Sequence, residues 1–133
     1  MSDYQVNNPA TGEVEATYPA ASEQDIQNAI EQADNAYKDW RQVSFDERSA
    51  LLHKVADLYL ESQDTLARIV ATEMGKPVAQ AKGEIGLVAE IYRYYADNAE
   101  QLLAPSIIEV DRGRASVEKH PVGASLGIMP WNY

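Results

Sequence analysis

Apolar residues recur at helical spacing through the middle of the chain and cluster in short runs towards its two ends. At the start, Tyr4–Asn7 and Val14–Tyr18 are β-prone segments around Asn8-Pro9-Ala10-Thr11-Gly12-Glu13, whose Asn, Pro and Gly favour a turn. That arrangement predicts a hairpin. Ser22 followed by Asp25 is a partial capping box, and Ile26, Ala29, Ile30, Ala33, Tyr37 and Trp40 then mark one helical face. Ser44-Phe45-Asp46-Glu47 is a fuller box that opens a second helix, with Leu51, Leu52, Val55, Leu58 and Tyr59 on one side. The pattern pauses at 62–64. A third helix carries Leu66, Ile69, Val70 and Met74, and Gly75-Lys76-Pro77 stops it: Gly supplies a left-handed cap and Pro cannot continue the helix. The fourth helix is long, from Val78 to Leu103, with Ile85, Val88, Tyr92, Tyr95, Ala99 and Leu102 spaced for burial and Pro105 closing it.

The character then changes. Ile107-Ile108-Glu109-Val110, a turn at Asp111-Arg112-Gly113-Arg114, and the segment 115–119 predict a second hairpin, which Pro121 ends. Val122 to Met129 reads as a buried strand with two glycines that suit close backbone approach. A continuously apolar strand normally needs parallel neighbours and helices on both faces, and without a parallel partner this one would remain an exposed edge. The expectation is an α/β fold of four helices, two hairpins and one buried strand, forming the front part of a larger protein.

Composition narrows the function. Eleven Lys+Arg against 21 Asp+Glu give a formal net charge of −10, and no basic stripe occurs, which argues against a nucleic-acid partner. Cysteine is absent, so disulfides, thiolate ligands and a cysteine nucleophile are excluded within these residues. No secretory signal pattern opens the chain, and no apolar run approaches the ~20 residues of a membrane span, so no membrane partner is expected and the cytoplasm is the simplest compartment.

Candidate chemistry is sparse. His53 and His120 have no second His or Cys at ligand spacing, so no metal site is expected. Glu84 and Glu90 read as a solvated helix face, and Tyr92, Tyr94 and Tyr95 as packing. No G-x-G-x-x-G or P-loop motif is present. Pro130-Trp131-Asn132 stands apart. Its Asn is either a turn former or, placed just past a core strand, a side-chain donor for an oxygen that gains charge.

Together, Asn8-Pro9-Ala10-Thr11-Gly12-Glu13, Glu73-Met74-Gly75-Lys76-Pro77, Arg93-Tyr94-Tyr95-Ala96, Pro121-Val122-Gly123 and Pro130-Trp131-Asn132 resemble, in order and spacing, the amino-terminal part of the NAD(P)-dependent aldehyde dehydrogenase family. Asp39-Trp40-Arg41, Met74-Gly75-Lys76-Pro77 and Ile128-Met129-Pro130-Trp131-Asn132 look most like the bacterial succinate-semialdehyde dehydrogenases, often NADP-linked. The resemblance implies oxidation of an aldehyde to the acid with NADP or NAD through a cysteine thiohemiacetal, with a glutamate activating water. By position, Asn132 resembles the oxyanion donor, and Ile128, Met129, Pro130 and Trp131 resemble the segment lining the cofactor cleft. Leu87 and Tyr133 resemble residues of the substrate tunnel, although Tyr133 stands where the family commonly has Phe. Residues 1–104 then correspond to the amino-terminal hairpin and the helical part of the cofactor domain. Residues 105–120 correspond to a hairpin of the oligomerisation region, and 121–133 to the start of a Rossmann-like sheet. A homo-oligomer, dimer or tetramer, is implied for the full-length protein. The nucleophilic cysteine and general base have no counterpart here, so the 133-residue chain alone is expected to be inactive. Two other readings stay open: a non-catalytic acidic helical module that binds a partner protein, and a dehydrogenase of another aldehyde branch.

Overall fold

Serine-led capping boxes start the first two helices of the computed structural model, which describes residues 4–130 and Tyr133. The elements are β1 (Tyr4–Asn7), β2 (Val14–Tyr18), α1 (Glu23–Trp40), α2 (Phe45–Glu61), α3 (Gln63–Met74), α4 (Val78–Leu103), β3 (Ser106–Ile108) and β4 (Ala115–Val117). The class is mixed α/β: among the described residues, four helices with two separate two-stranded antiparallel sheets.

At α1, the Ser22 hydroxyl accepts from the Asp25 amide at 3.2 Å while the Asp25 carboxylate accepts from the Ser22 amide at 2.9 Å. Ser44 and Glu47 repeat this reciprocal arrangement at α2. Each box satisfies amides that a helix start leaves without partners. Between the two helices, Arg48 donates to the carbonyls of Val43 and Trp40 at 3.0 and 2.9 Å, and its guanidinium lies over the Trp40 and Phe45 rings.

Small residues set the core. Among the described residues, Ala56 of α2, Ala67 of α3 and Ala81, Ile85 and Ala89 of α4 are the buried apolar ones, and the three on α4 recur every fourth position. Alanine lets helix backbones approach closely, so α4 lies against α2 and α3 while Tyr59, Leu66 and Val70 pack around the seam. Polar pairs flank it. Arg93 meets Asp57 at 2.7 Å and His53 meets Asp97 at 2.8 Å between α4 and α2, while Lys82 meets Asp64 at 2.5 Å between α4 and α3.

At the end of α3, Gly75 adopts φ +82, the left-handed cap the sequence predicts. A Cβ there would come within 2.9 Å of the Pro9 side chain, so the β1–β2 turn rests on this cap. Asn8 orders that turn: its carbonyl accepts from Gly12 at 2.7 Å and its side chain accepts from Ala10 at 2.9 Å. The β1–β2 register carries a bulge at Val6/Asn7.

Three expectations need correction. Leu51, Leu58, Ile69, Tyr95 and Leu102 lie on apolar faces yet are exposed, and α1 buries no residue. Helical spacing marks a face that can be buried; burial itself needs a covering element. The second hairpin is shorter than its β-prone sequence, and Lys119, beyond its ladder, instead donates to the Leu102 and Ala104 carbonyls at the end of α4. Val122–Met129 forms no strand, and Val122 and Ile128 are 96% and 82% exposed. Among the described residues no neighbouring strand pairs with its amides and carbonyls, and a strand without a ladder has nothing to hold it extended.

Two predictions follow from this architecture. Gly75→Ala should destabilise the protein by more than Gly12→Ala. Both substitutions force a side chain into left-handed backbone, costing about 1–2 kcal/mol, but only Gly75 faces Pro9. Urea denaturation of both variants measures the difference, and Pro9→Ala should recover part of the extra loss only in the Gly75→Ala background. Equal losses at positions 12 and 75 would remove the turn-on-cap contact from the account. The second concerns pH. Hydroxyl and then amide donation from Ser22 and Ser44 hold the Asp25 and Glu47 carboxyls below the usual carboxylate range. The folded state therefore favours their ionised forms, so the caps stabilise fully at neutral pH and their contribution fades as acid protonates them, between about pH 5 and 2. Far-UV circular dichroism should show helicity falling over that range. In Ser22→Ala/Ser44→Ala it should start lower at pH 7 and fall less; an undiminished acid-induced fall would contradict this assignment.

Candidate functional site

The turn between α3 and α4 positions the site. Gly75 turns the chain through its left-handed conformation and Pro77 fixes the entry to α4, leaving Lys76 between two constrained residues. Its side chain reaches back over α4 to Glu84, with Nζ and Oε2 2.5 Å apart. Lys76 is 11% exposed and Glu84 21%, so the pair is largely withdrawn from water. Lys76 Nζ also lies 4.7 Å from the centroid of the Tyr133 ring, within cation–π range.

Lys76, Gln80, Gly83, Glu84, Leu87 and Tyr133 line one open hollow of about 390 Å³. Gly83 contributes no side chain, and a Cβ there would meet nothing within 4 Å, so the α4 side of the hollow stays clear. A neighbouring hollow shares Leu87 and is walled by Glu90, Ile91, Tyr94 and Tyr95. The rings of Tyr94 and Tyr95 meet edge to face at 5.3 Å. Leu87 thus stands between two concavities on one side of α4.

Leu87 and Tyr133, 46 positions apart in the sequence, are therefore brought to one hollow. Ile128, Met129 and Pro130 are exposed, with the Met129 methyl folded back towards Gly127. Trp131 and Asn132 lie outside the described residues. Glu84 departs from the solvated face expected of it: it is the partner of Lys76, whereas Glu90 remains exposed. Lys76, read in the sequence only as part of a helix stop, is the residue that sequence reasoning missed. The available signal was a lysine held between a left-handed glycine and a proline, with an acid two helical turns ahead. His53 bonds Asp97, and among the described residues no group of three or more His, Cys, Asp or Glu side chains is placed to hold a metal ion. No helix among them is long and apolar enough to cross a membrane. An internally neutralised ion pair, an aliphatic wall and an aromatic ring can bind and orient a small molecule.

Comparison with known proteins extends this picture. The profile of the Aldehyde dehydrogenase family matches residues 1–133. The chain is 44% identical over 126 residues to a succinate-semialdehyde dehydrogenase [NADP(+)] of Deinococcus radiodurans, covering 95% of this chain and 26% of that protein. It is 42% identical to a glutarate-semialdehyde dehydrogenase of Pseudomonas putida, covering 96% of this chain and 27% of that protein. Its fold is similar to the crystal structure of succinic semialdehyde dehydrogenase from Streptococcus pyogenes in complex with NADP+, with a TM-score of 0.81, 38% identity, and coverage of 85% of this chain and 25% of that one. The chain spans about a quarter of the length of the curated relatives it matches. With the family profile matched along its whole length and curated relatives above 40% identity over nearly all of it, the chain belongs to the aldehyde dehydrogenase family.

Proposed function

We propose that the protein containing this chain oxidises an aldehyde, succinate semialdehyde in the first instance, to its carboxylic acid with NADP or NAD. The observation that carries this reading is the shared hollow of Leu87 and Tyr133, the two residues that resemble the family's substrate-tunnel positions. The Deinococcus and Streptococcus relatives support the choice of substrate and cofactor.

In this reading a cysteine outside these 133 residues adds its thiolate to the aldehyde carbonyl carbon, and the carbonyl oxygen gains negative charge. The Asn132 side-chain amide donates to that oxygen and stabilises the tetrahedral thiohemiacetal. Leu87 and Tyr133 hold the aldehyde's carbon chain beside the reacting carbonyl and exclude water from it. The dinucleotide, when bound, supplies the acceptor for the hydride that leaves the thiohemiacetal carbon. A glutamate, also outside this chain, then activates the water that releases the acid.

The residues present fit part of a dinucleotide site. The exposed Ile128 and Met129 side chains give an apolar edge that a flat ring could cover, and Trp131 follows two positions later. Phosphate contacts would have to come from elsewhere, since residues 120–133 carry no Lys or Arg. The β3–β4 hairpin, with Ile107, Ile108 and Val117 exposed, is assigned to contact between subunits of a homo-oligomer. A cytoplasmic location belongs to the same reading.

In the full-length enzyme, Asn132→Ala should lower kcat by about 10²–10³-fold, equivalent to roughly 2.7–4 kcal/mol of lost transition-state stabilisation. Steady-state kinetics over succinate semialdehyde, glutarate semialdehyde, betaine aldehyde and an aliphatic aldehyde, with each cofactor, test the substrate assignment. A clear preference for one of the last two would move the protein to another branch. The 133-residue chain alone should oxidise none of them. Turnover by the purified chain would show that its chemistry does not need the missing cysteine.

A further inference from the structure

The Lys76 ammonium lies among Glu84, Tyr133 and the wall of the hollow. Its negative partner is satisfied within the site, so the pair presents little net charge to a ligand. Its backbone is fixed on both sides. Gly75 is pinned in left-handed geometry against Pro9, and Pro77, at φ −54, forms the cap of α4. Glu84 then directs the side chain from a point two turns along the same helix. The result is a cation whose location is set by the scaffold, with an aromatic ring resting on it. Tyr133 is otherwise exposed, at 71%, and residues 118–130 form no helix or strand.

We infer that Lys76 is a positioning residue: braced by Glu84, it anchors the Tyr133 ring beside α4, and with it the point at which the chain leaves Asn132. Tyr133 is one peptide bond from Asn132, so the anchor limits the positions open to the amide donor. The catalytic consequence rests on the dehydrogenase reading above; the anchoring itself does not.

The test uses the intact protein that carries this chain and two readouts. Lys76→Met should raise amide hydrogen exchange across residues 126–133 and lower kcat about tenfold, with the aldehyde KM changing less than about twofold, as expected when a modest cation–π contact is lost and a donor is misplaced. Lys76→Arg keeps the charge, the pair with Glu84 and the ring contact, and should restore most of both. Tyr133→Leu should reproduce the exchange and kcat effects of Lys76→Met, with a further rise in aldehyde KM from its own place in the tunnel, and the double variant should add little to exchange or kcat, because one contact has been cut twice. Unchanged exchange and kcat in Lys76→Met overturn the inference, as do losses that multiply in the double variant. If Lys76→Met fails to fold, Tyr133→Leu decides, since its exposed ring is not needed for the core; unaltered exchange there sinks the anchor. Altered exchange in a protein that oxidises no aldehyde upholds the anchor and removes the dehydrogenase reading. An active enzyme with an insensitive segment does the reverse.

Discussion

Close approach of α4 to α2 and α3 through alanine is the constraint from which the rest of the structure follows. Ala56, Ala67, Ala81 and Ala89 leave no room for a larger side chain at the seam, and Ile85 fills the single wider position. Such an interface gains little from the volume of any one residue. It gains from dense contact between backbones and from flanking pairs such as Arg93–Asp57 that fix how the helices are aligned. Because the alignment of α4 is set this way, so is the end of α3 and the turn that joins them. The Lys76–Glu84 pair, the hollow beside it and the seat of the β1–β2 turn on Gly75 inherit their positions from that seam.

Much of the local structure was legible from residue chemistry. The Ser22 and Ser44 caps, the Gly75 stop and the limits of α4 follow from hydrogen-bond and backbone rules that act within a few residues, and the structure shows each where the sequence puts it. Burial was less legible. Leu51, Leu58 and Ile69 carry the periodicity of core residues yet are exposed, while apart from Ile85, which the pattern does mark, the core is made of alanines that it does not single out. Periodicity finds the apolar face and says nothing about what covers it. Val122–Met129 marks the same limit for strands, since apolar content cannot supply a pairing partner.

The candidate site divides in the same way. Family resemblance brought Leu87 and Tyr133 into view, and the fold places them side by side. Lys76 and Glu84 stayed hidden because their pairing is a matter of orientation. A lysine at a helix end and a glutamate on a helix face are ordinary surface residues until the turn between the helices folds one over the other. The two motifs around Pro9 and Gly75 also become a single feature only in three dimensions, where one ring packs on one glycine.

Leu87 lies two residues from both Ile85 and Ala89, and on an α-helix that offset places it on the side away from the seam. Scaffold and cavity wall are thus written on opposite faces of one helix. Mutational drift at Leu87 can reshape the cavity while leaving the α2–α3–α4 joint untouched, whereas the alanine face tolerates almost none. A helix built this way can change the hollow it lines without renegotiating how it folds.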